Sequence, residues 1–111
     1  MAMTPGKNYV NSPLRLTINL QNASGVDTDP DTLTLKLRAP SGVETSYAYL
    51  ADDEIQKTDA GDYTADITPD EAGRWLYRWE TTGTATTIAD EGDFLVQYSA
   101  FYDTWLTDYA V

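Results

Sequence analysis

Carboxylates are the side chains of this sequence with the greatest capacity for chemistry. The chain holds 18 Asp and Glu residues against 7 Lys and Arg, and it has no His and no Cys. Asp27, Asp29 and Asp31 alternate as at the start of a calcium-binding loop. That motif needs Gly at its sixth position and Glu at its twelfth, where this chain has Thr32 and Arg38. We therefore expect a solvated turn and no metal site.

Paired carboxylates could also hydrolyse a glycosidic bond. The candidates are Asp52-Asp53-Glu54 and Asp90-Glu91, but neighbouring acids arise by chance in so acidic a chain. Without His or Cys, the usual nucleophile and base combinations are missing. The sequence thus predicts a protein that is not an enzyme and needs no cofactor.

Length and charge restrict the partners. A chain of 111 residues fits one domain, and a net charge of −11 repels nucleic acid. No apolar run approaches the ~18 residues of a membrane span, and the first seven residues lack the apolar core of a secretory signal. We expect a protein made in the cytoplasm that binds neither nucleic acid nor membranes.

The segment from Gly73 to Glu80 has the most distinctive pattern in the chain. In a strand its side chains alternate between two faces, so Trp75, Tyr77 and Trp79 share one face. Arg74 and Arg78 lie on the other. Exposed, the aromatic face would be a sugar-binding platform, but a chain with two Phe residues needs this bulk for its core.

Similar alternation predicts short strands along the rest of the chain, separated by turns such as Pro40-Ser41-Gly42. The predicted strands cover 7–10, 14–20, 33–38, 43–49, 63–68, 73–80 and 94–98, with 55–57 as a further edge-strand candidate and 81–91 as a loop. This spacing is typical of an all-β sandwich of about seven strands. Its predicted core consists of Leu16, Ile18, Leu35, Leu37, Trp75, Tyr77, Trp79, Phe94 and Val96.

The pattern changes after residue 98, which divides the chain into a sandwich (1–98) and a C-terminal tail (99–111). Phe101, Trp105 and Tyr109 are four apart, with Tyr102 and Leu106 beside them, which predicts an aromatic stripe on a short helix. Such a helix is marginal by itself and needs a surface to pack against. Its own sandwich and a neighbouring molecule remain alternatives.

Two turns resemble the Asp-x-Gly-x-Tyr-x-Cys corner of immunoglobulin domains. In the segment 70–77, Trp75 takes the tyrosine position and Tyr77 the cysteine position. In the segment 59–65 the tyrosine is kept as Tyr63, and Ala65 replaces the cysteine. Strand order favours the later segment, because one predicted strand follows it. The resemblance implies an immunoglobulin-like sandwich in which aromatic bulk replaces the disulfide.

Over residues 10 to 100 the chain resembles small immunoglobulin-like proteins encoded among the virion genes of tailed bacteriophages. The matching elements are a leucine-alternating strand, the Pro40–Gly42 hairpin, Asp59–Tyr63, Ala72–Glu80 and Glu91–Val96. The resemblance implies a structural virion component, most simply a capsid decoration protein. A head–tail neck or tail component is the alternative, and a carbohydrate- or host-surface-binding module is the alternative from another class.

The resemblance also implies partners among the other virion proteins, in a symmetric homo-oligomeric assembly, with synthesis in the bacterial cytoplasm. In an immunoglobulin-like arrangement the strands bearing Lys36 and Arg38, and Arg74 and Arg78, are neighbours. These four cations and the tail residues Phe101, Tyr102, Trp105, Leu106 and Tyr109 are the predicted partner-binding residues. Cross-strand pairing of the cations with Glu44, Glu80 and Asp93 is the alternative interpretation.

Overall fold

The computed structural model describes residues 8–83 and 89–98, and in them the chain is an all-β protein with seven strands. Apolar and polar side chains alternate along most of these strands, as the sequence pattern predicts. The predicted sandwich of about seven strands is therefore confirmed. The strands are β1 (Leu14–Asn19), β2 (Thr32–Arg38), β3 (Glu44–Ala48), β4 (Ile55–Asp59), β5 (Asp62–Ile67), β6 (Gly73–Thr82) and β7 (Ala89–Val96).

The strands form two antiparallel sheets, one in the order β1-β5-β4 and the other in the order β3-β2-β6-β7. If β1 to β7 are equated with strands B, C, C′, D, E, F and G, the sheets become B-E-D and C′-C-F-G. This is the immunoglobulin strand order without its first strand. β2 and β6 are neighbours, with Lys36 opposite Arg78.

One hydrophobic core contains inward-facing side chains of both sheets. Trp79 on β6, Leu35 on β2 and Ala65 on β5 are 0% exposed. Burying apolar area of this kind is the dominant favourable term in folding. Of the predicted core set, the buried members are Leu35, Leu37, Trp75, Trp79 and Val96.

The other four predicted core residues lie at the rim of the core. Leu16, Ile18 and Phe94 are half-buried because β1 and β7 are edge strands of their sheets. Tyr77 is half-buried because its ring lies across Gly92 of β7, where an added Cβ would stand 2.4 Å from the tyrosine hydroxyl. The buried hydrophobic core residues outside the predicted set are Leu20, Leu33, Ala39, Ile55, Tyr63, Ala65 and Ile67.

Two strand predictions are corrected by the structure, and a third, the edge-strand candidate at 55–57, is confirmed. Of the predicted strand 7–10, Lys7 lies outside the described residues, and the others form a single parallel bridge between Tyr9 and Gln97. Asn11 then turns the chain with a φ of 65°. The predicted loop 81–91 is wrong at both ends, since β6 reaches Thr82 and β7 begins at Ala89. The edge-strand candidate at 55–57 is part of β4.

Trp75 forms a corner at the start of β6. Its indole Nε1 donates to the backbone oxygen of Glu71, four residues upstream, at 3.0 Å. In immunoglobulin domains the corner tyrosine makes a similar bond to upstream backbone. The Glu71 carboxylate also accepts from the Ser41 amide at 3.1 Å and its hydroxyl at 2.8 Å. The corner is thereby joined to the Pro40–Gly42 turn.

Candidate functional site

The outer face of the β3-β2-β6-β7 sheet gathers the four cations that the sequence singles out. Lys36 and Arg38 point outward from β2, and Arg74 and Arg78 point outward from β6, as the period of two requires. A groove of about 530 Å³ runs between them. We call this surface the charged face; its members are Lys36, Arg38, Glu44, Arg74, Leu76, Arg78, Glu80, Glu91, Asp93 and Leu95.

Every cation of the charged face has a carboxylate partner. Lys36 Nζ lies 3.1 Å from Glu80 Oε1, and Arg38 Nε donates to Glu44 Oε2 at 3.1 Å. Arg74 Nε donates to Asp93 Oδ2 at 2.8 Å. The structure thus contains the cross-strand pairing that the sequence offered as the alternative interpretation.

Arg78 is the centre of the largest of these networks. Its Nε donates to Glu80 Oε2 at 2.6 Å, and its Nη1 donates to Glu91. Glu80 in turn also contacts Lys36. The hydrogen bond from Arg78 is the main reason that the pKa of Glu80 is lowered, and the bonds to Glu80 and Glu91 raise the pKa of Arg78.

The charged face is electrically balanced. Its four cations stand against four carboxylates, those of Glu44, Glu80, Glu91 and Asp93. The side chains in these pairs remain 35–67% exposed, so the pairs contribute little to stability. What they do is cancel charge on one surface of an acidic protein.

Two leucines interrupt the charges. Leu76 on β6 is 39% exposed and Leu95 on β7 is 67% exposed, and both project from the outer face. Leu95 lies opposite Arg74, one register step from the pair of Leu76 and Asp93. Together they give the face a small apolar area that water solvates poorly.

Asp29, the second of the alternating acids, joins its own loop to β4 and β5. Its carboxylate accepts from Lys57 Nζ at 2.6 Å, the Gly61 amide at 2.9 Å and the Tyr63 hydroxyl at 3.0 Å. The bond from Lys57 is the largest cause that lowers the pKa of Asp29 to about 2. Asp27 accepts from side-chain amides of Asn19 and Gln21.

The part of the chain that the structure describes has neither a cluster of metal ligands nor a membrane-spanning helix. Residues 8–83 and 89–98 contain no group of three or more acidic side chains placed to hold a metal ion. In the same residues there is no helix with the length and apolar character of a membrane span.

The aromatic face of β6 does not form a sugar-binding platform, since both of its indoles are covered. Trp75 is 7% exposed and its ring stacks on Phe94, with centroids 6.0 Å apart. Tyr77 stacks on the other side of Phe94 at 6.4 Å. The predicted tail residues Phe101, Tyr102, Trp105, Leu106 and Tyr109 lie outside the described residues.

Three members of the charged face, Leu76, Glu91 and Leu95, are absent from the sequence-based site. Glu91 was assigned to a loop, although it lies two positions from Asp93 and therefore shares its face once β7 is extended. Leu95 gave no signal, because one exposed leucine is ordinary in a protein surface. Strand parity across all of β7 would have identified both.

Comparison with known proteins gives no relative from which a function of this surface could be transferred. No family model matches the sequence, no curated protein matches it, and no solved structure matches the fold.

Proposed function

We propose that this protein is a non-enzymatic structural component of a tailed-phage virion, most simply a capsid decoration protein. It would be made in the bacterial cytoplasm and reside in the particle, bound to other virion proteins. A head–tail neck or tail component is the alternative location. The carrying observation is the combination of an immunoglobulin-like sandwich with a charge-balanced outer face.

The segments on which the phage resemblance rests are structural elements of the sandwich. Pro40–Gly42 closes the β2–β3 hairpin, where the Ala39 amide donates to the Val43 oxygen at 2.9 Å. The segment 59–63 turns β4 into β5, and the segment 72–80 forms the corner and most of β6. These matches therefore concern the fold, and they support the virion role only through the resemblance.

The charged face supports a docking role in its own right. It contains the groove described above and combines exposed ion pairs with two exposed leucines. Surfaces that bind proteins typically surround an apolar centre with a polar rim. We assign attachment to this face, including Lys36, Arg38, Arg74 and Arg78, and to the tail residues 101–109.

The virion role is tested by counting copies in purified particles of the virus that encodes the protein. Quantitative mass spectrometry against the major capsid protein should give hundreds of copies for a decoration protein. A dozen copies or fewer would assign it to the neck or tail. Absence from intact particles would contradict both locations.

A truncation separates attachment from folding. Deleting residues 101–111 retains every core residue of 8–83 and 89–98, so we expect a folded sandwich by circular dichroism. The same variant should fail to join particles if the tail is an attachment arm. Full occupancy by the truncated protein would remove the tail from the proposed attachment surface. Binding to a glycan array by a protein absent from particles would instead favour the host-surface module.

A further inference from the structure

We propose that the charged face packs against the charged face of a second copy of this protein. The proposal concerns the isolated protein and holds whether or not it is a virion component. It rests on how charge is distributed over the described residues, on the register of β6 and β7, and on the two exposed leucines.

Charge singles out this face for contact between two copies. Residues 8–83 and 89–98 contain six cations and sixteen acids. Setting aside the four cations and four acids of the charged face leaves two cations and twelve acids, a net charge of −10 on the remaining surface. Two copies that met through any of that surface would repel each other, whereas the charged face has no net charge.

The register places opposite charges in adjacent columns. Along β6 the outward residues are Arg74, Leu76, Arg78 and Glu80, and along β7 the residues directly opposite them are Leu95, Asp93, Glu91 and Ala89. Neighbouring strands lie about 4.8 Å apart and alternate residues about 6.6 Å apart. The two arginines of β6 therefore lie beside the two acids of β7, with one leucine in each row and with Glu80 at the far end of the β6 row.

This pattern allows one placement of a two-fold axis with favourable charges and apolar contact. An axis parallel to the strands between β6 and β7 lays β6 of each copy over β7 of the other. Arg78 of each copy then faces Glu91 of the other, Leu76 faces Asp93 and Arg74 faces Leu95, which leaves Leu76 of each copy one step from Leu95 of the other. The four leucines form the apolar centre of the contact.

Other placements are less favourable. An axis between β2 and β6 sets Lys36 over Arg78 of the other copy and Arg38 over Leu76, so it brings one pair of like charges into contact. An axis across the strands sets Asp93 over Glu91. An axis between β2 and β3 pairs Arg38 with Glu44 but buries neither leucine. Like charges in direct contact are destabilising, so the axis between β6 and β7 is preferred.

The contact covers two strands of each copy, and the small area that they bury limits the affinity. β6 and β7 together present a strip roughly 10 Å wide and about 26 Å long. Such a strip, about 260 Å² per copy, is well below the ~800 Å² per partner of a stable interface. We expect a weak, reversible dimer with a dissociation constant of about 10 µM to about 1 mM.

Charge-reversal variants test the placement. Arg78→Glu alone sets carboxylates against carboxylates across the axis, and Glu91→Arg alone sets guanidinium groups against each other. Each variant should be monomeric in sedimentation velocity at concentrations where the wild type dimerises. An equimolar mixture of the two should dimerise again, because every carboxylate then faces a guanidinium group. A mixture that stays monomeric would overturn the proposed pairing.

A leucine pair tests the apolar centre. Leu95→Asp should abolish the dimer, while Leu50→Asp, at an 85% exposed leucine outside the charged face, should leave it intact. Both side chains are exposed enough that we expect each variant to fold, which circular dichroism would verify. Equal dimerisation of the two variants would contradict the proposal. Loss of the dimer in Arg38→Glu but not in Arg78→Glu would assign the contact to β2 and β3 instead.

Discussion

Trp75 and Trp79 stand two positions apart on the inner face of β6 but differ in the partner of their indole N–H. The Trp75 N–H donates to the backbone oxygen of Glu71. The Trp79 N–H is buried and has no hydrogen-bond partner among the described residues. Leaving a buried donor unpaired costs about 1–3 kcal/mol, so the deeper tryptophan carries an internal penalty.

The two tryptophans therefore respond differently to replacement by phenylalanine. Trp75→Phe loses ring volume and strands the Glu71 oxygen, whereas Trp79→Phe loses ring volume but removes the unpaired donor. We expect Trp79→Phe to lower the free energy of unfolding by about 1 kcal/mol less than Trp75→Phe. Urea denaturation followed by circular dichroism measures the difference. A larger loss at Trp79 would show that cavity formation outweighs the unpaired donor there.

Truncating the corner tryptophan further removes its packing as well as its hydrogen bond. Trp75→Ala should lower the free energy of unfolding by roughly 3–5 kcal/mol, because buried aromatic truncation leaves a cavity. Thermal and urea denaturation would both report this loss. A change below about 1 kcal/mol would show that the indole is solvated in the native protein.

Asp29 makes stability depend on pH in the acidic range. Its pKa is about 2 in the folded protein against an ordinary value of 3.8, so its contribution is present above about pH 3.8 and is lost as pH falls toward 2. Asp29→Asn should lower the melting temperature at pH 6, and the gap to wild type should close below about pH 4. Lys57→Gln, which removes the main cause of the shift, should move the loss to higher pH. A gap that stays constant down to pH 2 would contradict this assignment.

Among the elements, the β4–β5 hairpin depends most strictly on a glycine. Gly61 has a φ of 74°, and an added Cβ would stand 2.5 Å from the Leu20 oxygen and 2.9 Å from the Thr28 nitrogen. Those contacts are backbone atoms, which cannot rotate away. Gly42 in the β2–β3 turn has a φ of 96° but nothing within 4 Å of such a Cβ.

Alanine variants of these two glycines separate the destabilisation caused by a left-handed backbone from that caused by a steric clash. Gly42→Ala should cost about 1–2 kcal/mol, the expense of a left-handed alanine. Gly61→Ala should cost more, because the hairpin must also move away from the 20–28 loop. Urea denaturation of both variants measures the comparison. Equal losses would show that the loop shifts freely and does not restrain the hairpin.

The strands that the sequence predicts correctly are those whose own residues carry the signal. Leucine alternation in β1 and β2 and the tryptophan pattern in β6 are period-two patterns of apolar residues. The start of β7 has no such pattern, since Asp90, Glu91 and Gly92 favour loops. Those residues are held in the sheet by backbone pairing with β6, a contact that a single-sequence pattern does not contain.

The same limit applies to the charged face. Because side chains alternate along a strand, the four cations lie on the same face of their strands. They come together because β2 and β6 are adjacent in the sheet. Their neutralisation depends on which acids lie across each strand, and Glu91 becomes visible only when β7 has its full length. The Trp75 corner bond depends on the path of the turn before β6, which residue types alone do not fix.

At the scale of the whole molecule, the acidic charge that keeps copies apart is confined to surfaces other than the charged face. A net charge of −11 generates a long-range repulsion whose reach follows the Debye length, about 30 Å at 0.01 M salt and about 8 Å at 0.15 M. The ion pairs within a dimer act over a few ångströms, so salt screens them less than it screens the repulsion. The leucine contacts are not weakened by salt of this concentration.

Raising the salt concentration should therefore tighten the dimer. We expect the dissociation constant to fall several-fold between about 0.01 M and about 0.15 M NaCl, measured by sedimentation velocity. The mixture of Arg78→Glu and Glu91→Arg should show the same trend, because its total charge is the same as that of two wild-type copies. Leu95→Asp should stay monomeric at both concentrations. A wild-type dimer that weakens as salt is added would mean that ion pairs dominate the contact, in which case the charge-balanced face and its leucines would not be what brings two copies together.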